Sequence, residues 1–170
     1  KELGLRNRLY GVLDGQKFHY DKQALPFFDV FDETRYFEQG EESIPPQLLL
    51  SNCADIWAVD GFETKCRPYP LNFWEQIRVR PEKELINLSA SPFVFNKFEL
   101  KLKLWGAQCA KFQKQLIYVN TCTASDDLLM DGRSFVLNPN GKLVFEGKVF
   151  QEEIKAIDTQ KENDVEPLKL

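Results

Sequence analysis

The stretch that most constrains this chain is a long amphipathic run, Lys97–Gln115, that passes without a break into an apolar one, Leu116–Asn120 (LIYVN). In the first, Phe98, Leu102, Trp105, Cys109 and Phe112 recur at spacings of three and four, which sets them on one face of a helix. The second reads as a strand. A helix followed by a strand needs a sheet to pack on, so all-helical and all-β architectures are excluded. Leu85–Leu88 (LINL) is another short buried-strand candidate, followed by the turn-like Ser89-Ala90-Ser91-Pro92.

Two hairpins are legible. Leu9–Leu13 and Lys17–Tyr20 flank the turn dipeptide Asp14-Gly15, and Ser134–Leu137 and Lys142–Phe145 flank Asn138-Pro139-Asn140-Gly141. Between them lies a loop rich in aromatic and acidic residues, Leu25–Gly40, closed by Pro45-Pro46. Gln47–Ser51 (QLLLS) then reads as a buried strand ending just before Cys53. Trp57–Pro70 is irregular, and Leu71–Val79 is a short helix limited by Pro81. The predicted class is α/β or α+β, which periodicity alone does not separate. Residues 1–157 are expected to form one partial domain, and 158–170, polar and charged, a tail or linker.

Composition narrows the function classes. An apolar fraction of 43%, with fourteen Phe and three Trp, supports a real core. A net charge of −4 argues against nucleic acid as a partner, since phosphate binding needs a basic surface. No apolar run approaches the roughly 18–20 residues of a membrane span, and the first residues lack the apolar centre of a signal peptide. The first residue is Lys rather than Met, which suits a piece of a longer chain. Cysteines stand at 53, 66, 109 and 122 without a CxxC pair, and His19 is the single histidine, so a finger-type zinc site is not expected. A reduced, cytoplasmic protein is the expectation.

Four segments carry a family resemblance. Asp21–Phe37 (DKQALPFFDVFDETRYF), Cys53–Trp57 (CADIW), Asn87–Phe93 (NLSASPF, with Lys97 downstream) and Tyr118–Leu143 (YVNTCTASDDLLMDGRSFVLNPNGKL) follow one another over about three quarters of the chain. Each alone is a weak signal. Together, in order and at this spacing, they resemble the later part of the glutaminase domain of glutamine-dependent NAD synthetases, in the carbon–nitrogen hydrolase (nitrilase) superfamily. The resemblance implies part of a nitrilase-like α-β-β-α sandwich whose N-terminal strands and helices are missing from this chain. It also implies a homo-oligomer.

Amide hydrolysis through a covalent intermediate needs a nucleophile, a base and donors for the oxyanion. By resemblance Cys53 is the nucleophile, Lys22 the catalytic lysine, and Glu33 an auxiliary glutamate. Without it, Cys53 reads more readily as an inert buried thiol, Lys22 as a surface lysine and Glu33 as a solvated carboxylate. Phe28, Ser91 and Lys97 match substrate-pocket positions, where a cation suits the α-carboxylate of glutamine. The plain alternatives are a turn for Ser91-Pro92 and a wet helix-start lysine for Lys97.

The family's general-base glutamate lies in a segment upstream of the lysine, and no matching segment is found here; Glu2 lacks the pattern. Ala54 stands where the family has Glu, Phe28 where it often has Tyr, and Thr121-Cys122-Thr123 replaces a small glycine-containing turn. No SGGxDS loop occurs, so ATP and deamido-NAD are expected only on a separate synthetase domain, and no cofactor on this chain. The expected partners are glutamine and either that domain or the missing N-terminal segment. Two other readings stay open: an amidase of the same superfamily acting on a different amide, and an inactive truncated relative kept for assembly. The FDETRYF and DGRSF segments favour the synthetase branch.

Overall fold

Asp14 and Gly15 both take positive φ, 50° and 76°, as the tightest hairpin turn requires. In the computed structural model, which describes residues 4–28, 30–41, 48–59 and 72–158, they join β1 (Arg8–Leu13) to β2 (Gln16–Asp21) in an antiparallel pair. The chain divides into two compact units, Lys1–Glu82 and Lys83–Leu170.

The first unit continues with a two-residue pair, β3 (Phe27–Phe28) and β4 (Phe31–Asp32), and a single helical turn, α1 (Glu33–Tyr36). Strand β5 (Leu49–Asn52) is buried at every position, as an apolar run of that length predicts. It ends directly at a 3₁₀ turn, Cys53–Trp57. A short helix, α2 (Phe73–Gln76), is capped by the Asn72 side chain, which accepts from the backbone N–H groups of Trp74 and Glu75. The expected helix over 71–79 is therefore shorter. Tyr20, Leu49, Ile56, Phe73, Trp74 and Ile77 form the core, and Trp74 Nε1 donates to the Ile56 carbonyl at 3.0 Å.

The second unit is built on a βαβ crossover. Strand β6 (Glu84–Ser89) pairs parallel with β7 (Gln115–Asn120), and α3 (Lys97–Phe112) connects them. A hairpin, β8 (Cys122–Ser125) and β9 (Leu128–Asp131), follows. Strand β10 (Phe135–Leu137) then pairs antiparallel with β7 on one side and with β11 (Leu143–Glu146) on the other. The sheet is thus mixed, and the architecture is α/β. Trp105, Tyr118 and Phe135 stack at centroid distances of 5.1 and 4.8 Å between α3 and the sheet.

Several expectations are corrected here. The helix stops at Phe112 because Gln113 takes φ 53° and its N–H turns back to the Cys109 carbonyl, which leaves room for the chain to enter β7. Lys101 is buried and Leu102 is not; the lysine Nζ lies 4.5 Å from the centre of the Tyr118 ring and donates to the Tyr118 hydroxyl at 2.8 Å. Strand β6 is not buried on both faces, since Asn87 points inward and Leu88 is 38% exposed. Cys122 and Thr123, which replace residues of the family's glycine-containing turn, begin β8. Pro45-Pro46, Cys66, Tyr69 and nearly all of the expected tail lie outside the described residues.

Candidate active site

Lys22 begins the loop that leaves β2, and its backbone is held from both sides. Its N–H donates to the Asn7 carbonyl at 2.9 Å, and its carbonyl accepts from Gly40 N–H at 2.8 Å. The side chain is almost fully buried, and its ammonium bonds both carboxylate oxygens of Glu33, at 2.6 and 2.7 Å. Glu33 opens α1, with its own N–H on the Pro26 carbonyl at 3.0 Å. Two residues singled out by sequence therefore form one charge-assisted pair. Phe28 sits in β3, in register with Phe31.

Cys53 occupies the corner between β5 and the 3₁₀ turn, with φ 46°. A non-glycine residue in this left-handed region is strained, and such strain concentrates at functional corners. Cys53 is half-buried, and Ala54 after it is buried.

The residue that organises this corner is Asp55, to which the sequence reading assigned no role. It is 1% exposed. Its Oδ1 accepts from the N–H groups of Gln23 and Ala24 at 3.0 and 2.7 Å, and its Oδ2 from the Tyr20 hydroxyl and Asn52 N–H at 2.7 and 2.8 Å. Burial pushes its carboxyl up from the ordinary range, opposed by the Ala24, Asn52 and Tyr20 hydrogen bonds and by the Lys22 charge. The Tyr20 hydroxyl is likewise pushed up by burial first and by the Asp55 charge second. Asn52 and Asp55 also form a capping box, each side chain bonded to the other's backbone. That N-x-x-D spacing is the signal in the sequence that marks Asp55.

In the second unit, Ser91 is buried and held through its backbone. Its N–H donates to Asn120 Oδ1 at 2.8 Å, and Asn120 Nδ2 donates to the Ser91 carbonyl at 3.3 Å and to Asp131 Oδ1 at 3.2 Å. Lys97, at the first turn of α3, donates from Nζ to the Pro92 carbonyl at 3.0 Å. A cavity of about 220 Å³ lies beside it, lined by Phe93, Phe95, Lys97, Lys101, Asp131 and Arg133 among others. Ser91 is not among its walls. Among the described residues, no group of three or more His, Cys, Asp or Glu is placed to hold a metal ion, and no helix is long and apolar enough to cross a membrane.

The cysteines differ in environment. Cys109 is fully buried in α3, and burial pushes its thiol up to about 12. In the native protein at pH 8, iodoacetamide is therefore expected to modify the half-buried Cys53 and Cys122 and to spare Cys109 until the pH approaches 12 or the fold opens. Peptide mapping by mass spectrometry reads this directly, and early modification of Cys109 would contradict it.

Comparison with known proteins turns this geometry into kinship. No family model matches the chain. The glutamine-dependent NAD+ synthetase of Aquifex aeolicus is 34% identical over 162 residues, which is 92% of this chain and 27% of that enzyme. The solved glutamine-dependent NAD+ synthetase of Acinetobacter baumannii superposes with a TM-score of 0.74 at 27% identity, over 87% of this chain and 27% of that one. The chain belongs to the glutamine-dependent NAD+ synthetase family. A carbon–nitrogen hydrolase from Helicobacter pylori G27, 20% identical, shares the fold with a TM-score of 0.71, covering 86% of this chain and 54% of that one. The fold is thus that of the nitrilase superfamily. The chain spans about a quarter of the length of the curated relatives it matches, so it corresponds to one part of a synthetase.

Proposed function

We propose that this chain supplies the nucleophile-bearing part of a glutaminase that releases ammonia from glutamine for NAD synthesis. The observation that carries the reading is the corner at Cys53. A cysteine in a strained left-handed conformation closes a buried strand, and two residues later Asp55 fastens that corner to the segment holding the Lys22–Glu33 pair. Kinship with glutamine-dependent NAD+ synthetases supports the choice of substrate.

In the proposed reaction the Cys53 thiolate adds to the side-chain amide carbon of glutamine. The Lys22 ammonium, anchored by Glu33, stabilises the oxyanion. The C–N bond then breaks, the nitrogen takes a proton and leaves as ammonia, and a glutamyl thioester remains. Water cleaves the thioester to glutamate and returns the thiol. The base that takes the thiol proton is a glutamate supplied by a segment outside this sequence. Phe28, Ser91 and Lys97 carry the substrate-binding roles that the family resemblance implies. Residues 1–157 make up this glutaminase part and 158–170 a polar tail or linker. Ammonia passes to a synthetase domain that binds ATP and deamido-NAD.

Incubation with a glutamine-mimicking chloroketone, followed by peptide mapping, tests the site. Labelling at Cys53 that glutamine suppresses is the expected result, and Cys53→Ala abolishes it. Labelling confined to Cys66, Cys109 or Cys122 would sink the assignment. Glutamate and ammonia release is measured in parallel, with and without an added N-terminal segment. Because Ala54 replaces an acidic residue of the family pattern, other small amides are assayed alongside. Turnover of these but not of glutamine would favour the amidase reading.

A further inference from the structure

Asp55 has no part in the reaction proposed above, yet it makes four hydrogen bonds that divide cleanly between its two oxygens. Oδ1 holds Gln23 and Ala24, the two residues immediately after Lys22. Oδ2 holds Asn52, the residue immediately before Cys53, together with the Tyr20 hydroxyl of β2. One short, fully buried side chain therefore stands between the backbone that carries the lysine and the backbone that carries the cysteine. Asn7 runs in parallel: its carbonyl accepts from Lys22 N–H, and its side-chain oxygen accepts from Asn52 Nδ2 at 3.0 Å.

We propose that Asp55 is a positioning residue that sets the separation of Lys22 from Cys53. The inference rests on the glutaminase reading, in which both residues act on the same reacting atoms. The chemistry of the partners explains why the residue is an aspartate. Gln23, Ala24 and Asn52 present backbone N–H groups, which only donate; the Tyr20 hydroxyl alone can rotate to accept. A carboxylate satisfies all four. A carboxamide has one acceptor oxygen, and the arrangement that costs least turns its NH₂ toward Tyr20. That leaves Asn52 N–H facing a donor, so Asp55→Asn releases the cysteine side of the clamp and keeps the lysine side. Asp55→Glu keeps the charge and both acceptors but lengthens the link by one methylene. A displacement of about 1 Å in a reacting group is enough to lose on the order of 100-fold in rate.

The test uses the full chain and two thiol reagents on the parent, Asp55→Asn, Asp55→Glu and Tyr20→Phe, with Cys53 modification followed by mass spectrometry. The iodoacetamide rate at one fixed pH reports access to the Cys53 sulfur, and the glutamine-mimicking chloroketone reports the assembled site. For both Asp55 variants, chloroketone labelling of Cys53 is expected to fall about 100-fold. The ratio of the chloroketone rate to the iodoacetamide rate at Cys53 is expected to fall with it, since only the chloroketone needs the assembled site. Cys122 alkylation stays as in the parent, and Tyr20→Phe, which removes one bond of the four, gives a several-fold loss. A purely structural Asp55 would lower the melting temperature but leave the Cys53 chloroketone rate and its ratio to the iodoacetamide rate at the parent values in every variant that folds, and that result overturns the proposal. If Asp55→Asn does not fold, Asp55→Glu and Tyr20→Phe decide by the same readouts. If the chloroketone labels the parent elsewhere than Cys53, the glutaminase reading fails, and the iodoacetamide rate at Cys53 alone decides whether Asp55 positions the thiol.

Discussion

Glu33→Gln is expected to lower the unfolding free energy by about 3 kcal/mol, because it leaves a buried ammonium without its counter-charge. The Lys22 side chain is 1% exposed, so its charge has little access to water, and its two closest partners are the oxygens of Glu33. A glutamine offers one neutral acceptor where the carboxylate offered two charged ones. Removing the other partner has a different outcome. Lys22→Met leaves a carboxylate whose side chain is 18% exposed and can be hydrated, so the expected loss is smaller, about 1–2 kcal/mol. The double variant removes both charges, and its loss is expected to be less than the sum of the two single losses. Urea unfolding of the four proteins closes a double-mutant cycle that isolates the pair. A loss below about 0.5 kcal/mol for Glu33→Gln would mean that Lys22 reaches water and is not held by this carboxylate.

The second large effect is expected far from Cys53 in sequence, where α3 meets the β10–β11 hairpin. A Cβ added to Gly141 would lie 2.2 Å from the carbonyl oxygen of Gly106, and Gly141 has φ +78°. Both the contact and the conformation exclude a side chain, and neither can relax by turning a flexible group, since the obstacle is backbone. Gly141→Ala is expected to destabilise by about 3 kcal/mol, the sum of left-handed strain and forced separation. For a chain of this size that lowers the melting temperature by about 10 °C. At Gly106 the added Cβ would meet the Gly141 carbonyl oxygen at 2.8 Å, but alanine also improves helix propensity by about 1 kcal/mol. Gly106→Ala is therefore expected to cost less than Gly141→Ala, about 1 kcal/mol. Thermal unfolding followed by circular dichroism orders the two. A Gly141→Ala protein that melts with the parent would show that the hairpin does not press on the helix.

Elements with strong periodicity or turn chemistry were legible in the sequence. The α3 helix, both predicted hairpins and the strand before Cys53 follow from residues close together in the chain, where spacing and φ preference act directly. The β8–β9 hairpin was not legible, because its strands show no sustained apolar alternation, half of their residues are exposed, and its turn at Asp126 carries no glycine. Lys101 escaped the helical pattern for a different reason. A lysine counts as polar in any periodicity, and the partners that favour its burial, the Tyr118 ring and hydroxyl and the Trp105 ring among them, are set by the packing.

The candidate site divides the same way. By themselves the residues determined that a cysteine follows an apolar strand, that Lys22 stands close in the chain to Leu25, Phe27 and Phe28, and that a glutamate stands eleven positions after it. Family likeness named their roles. Only the tertiary structure decided that Lys22 and Glu33 bond each other, that Cys53 is held in a left-handed corner, and that Asp55 joins the two segments. The physical reason is that a buried carboxylate chooses its donors by position in space. Its four partners, at 20, 23, 24 and 52, come from two stretches separated by some thirty residues, and no local pattern can bring those together.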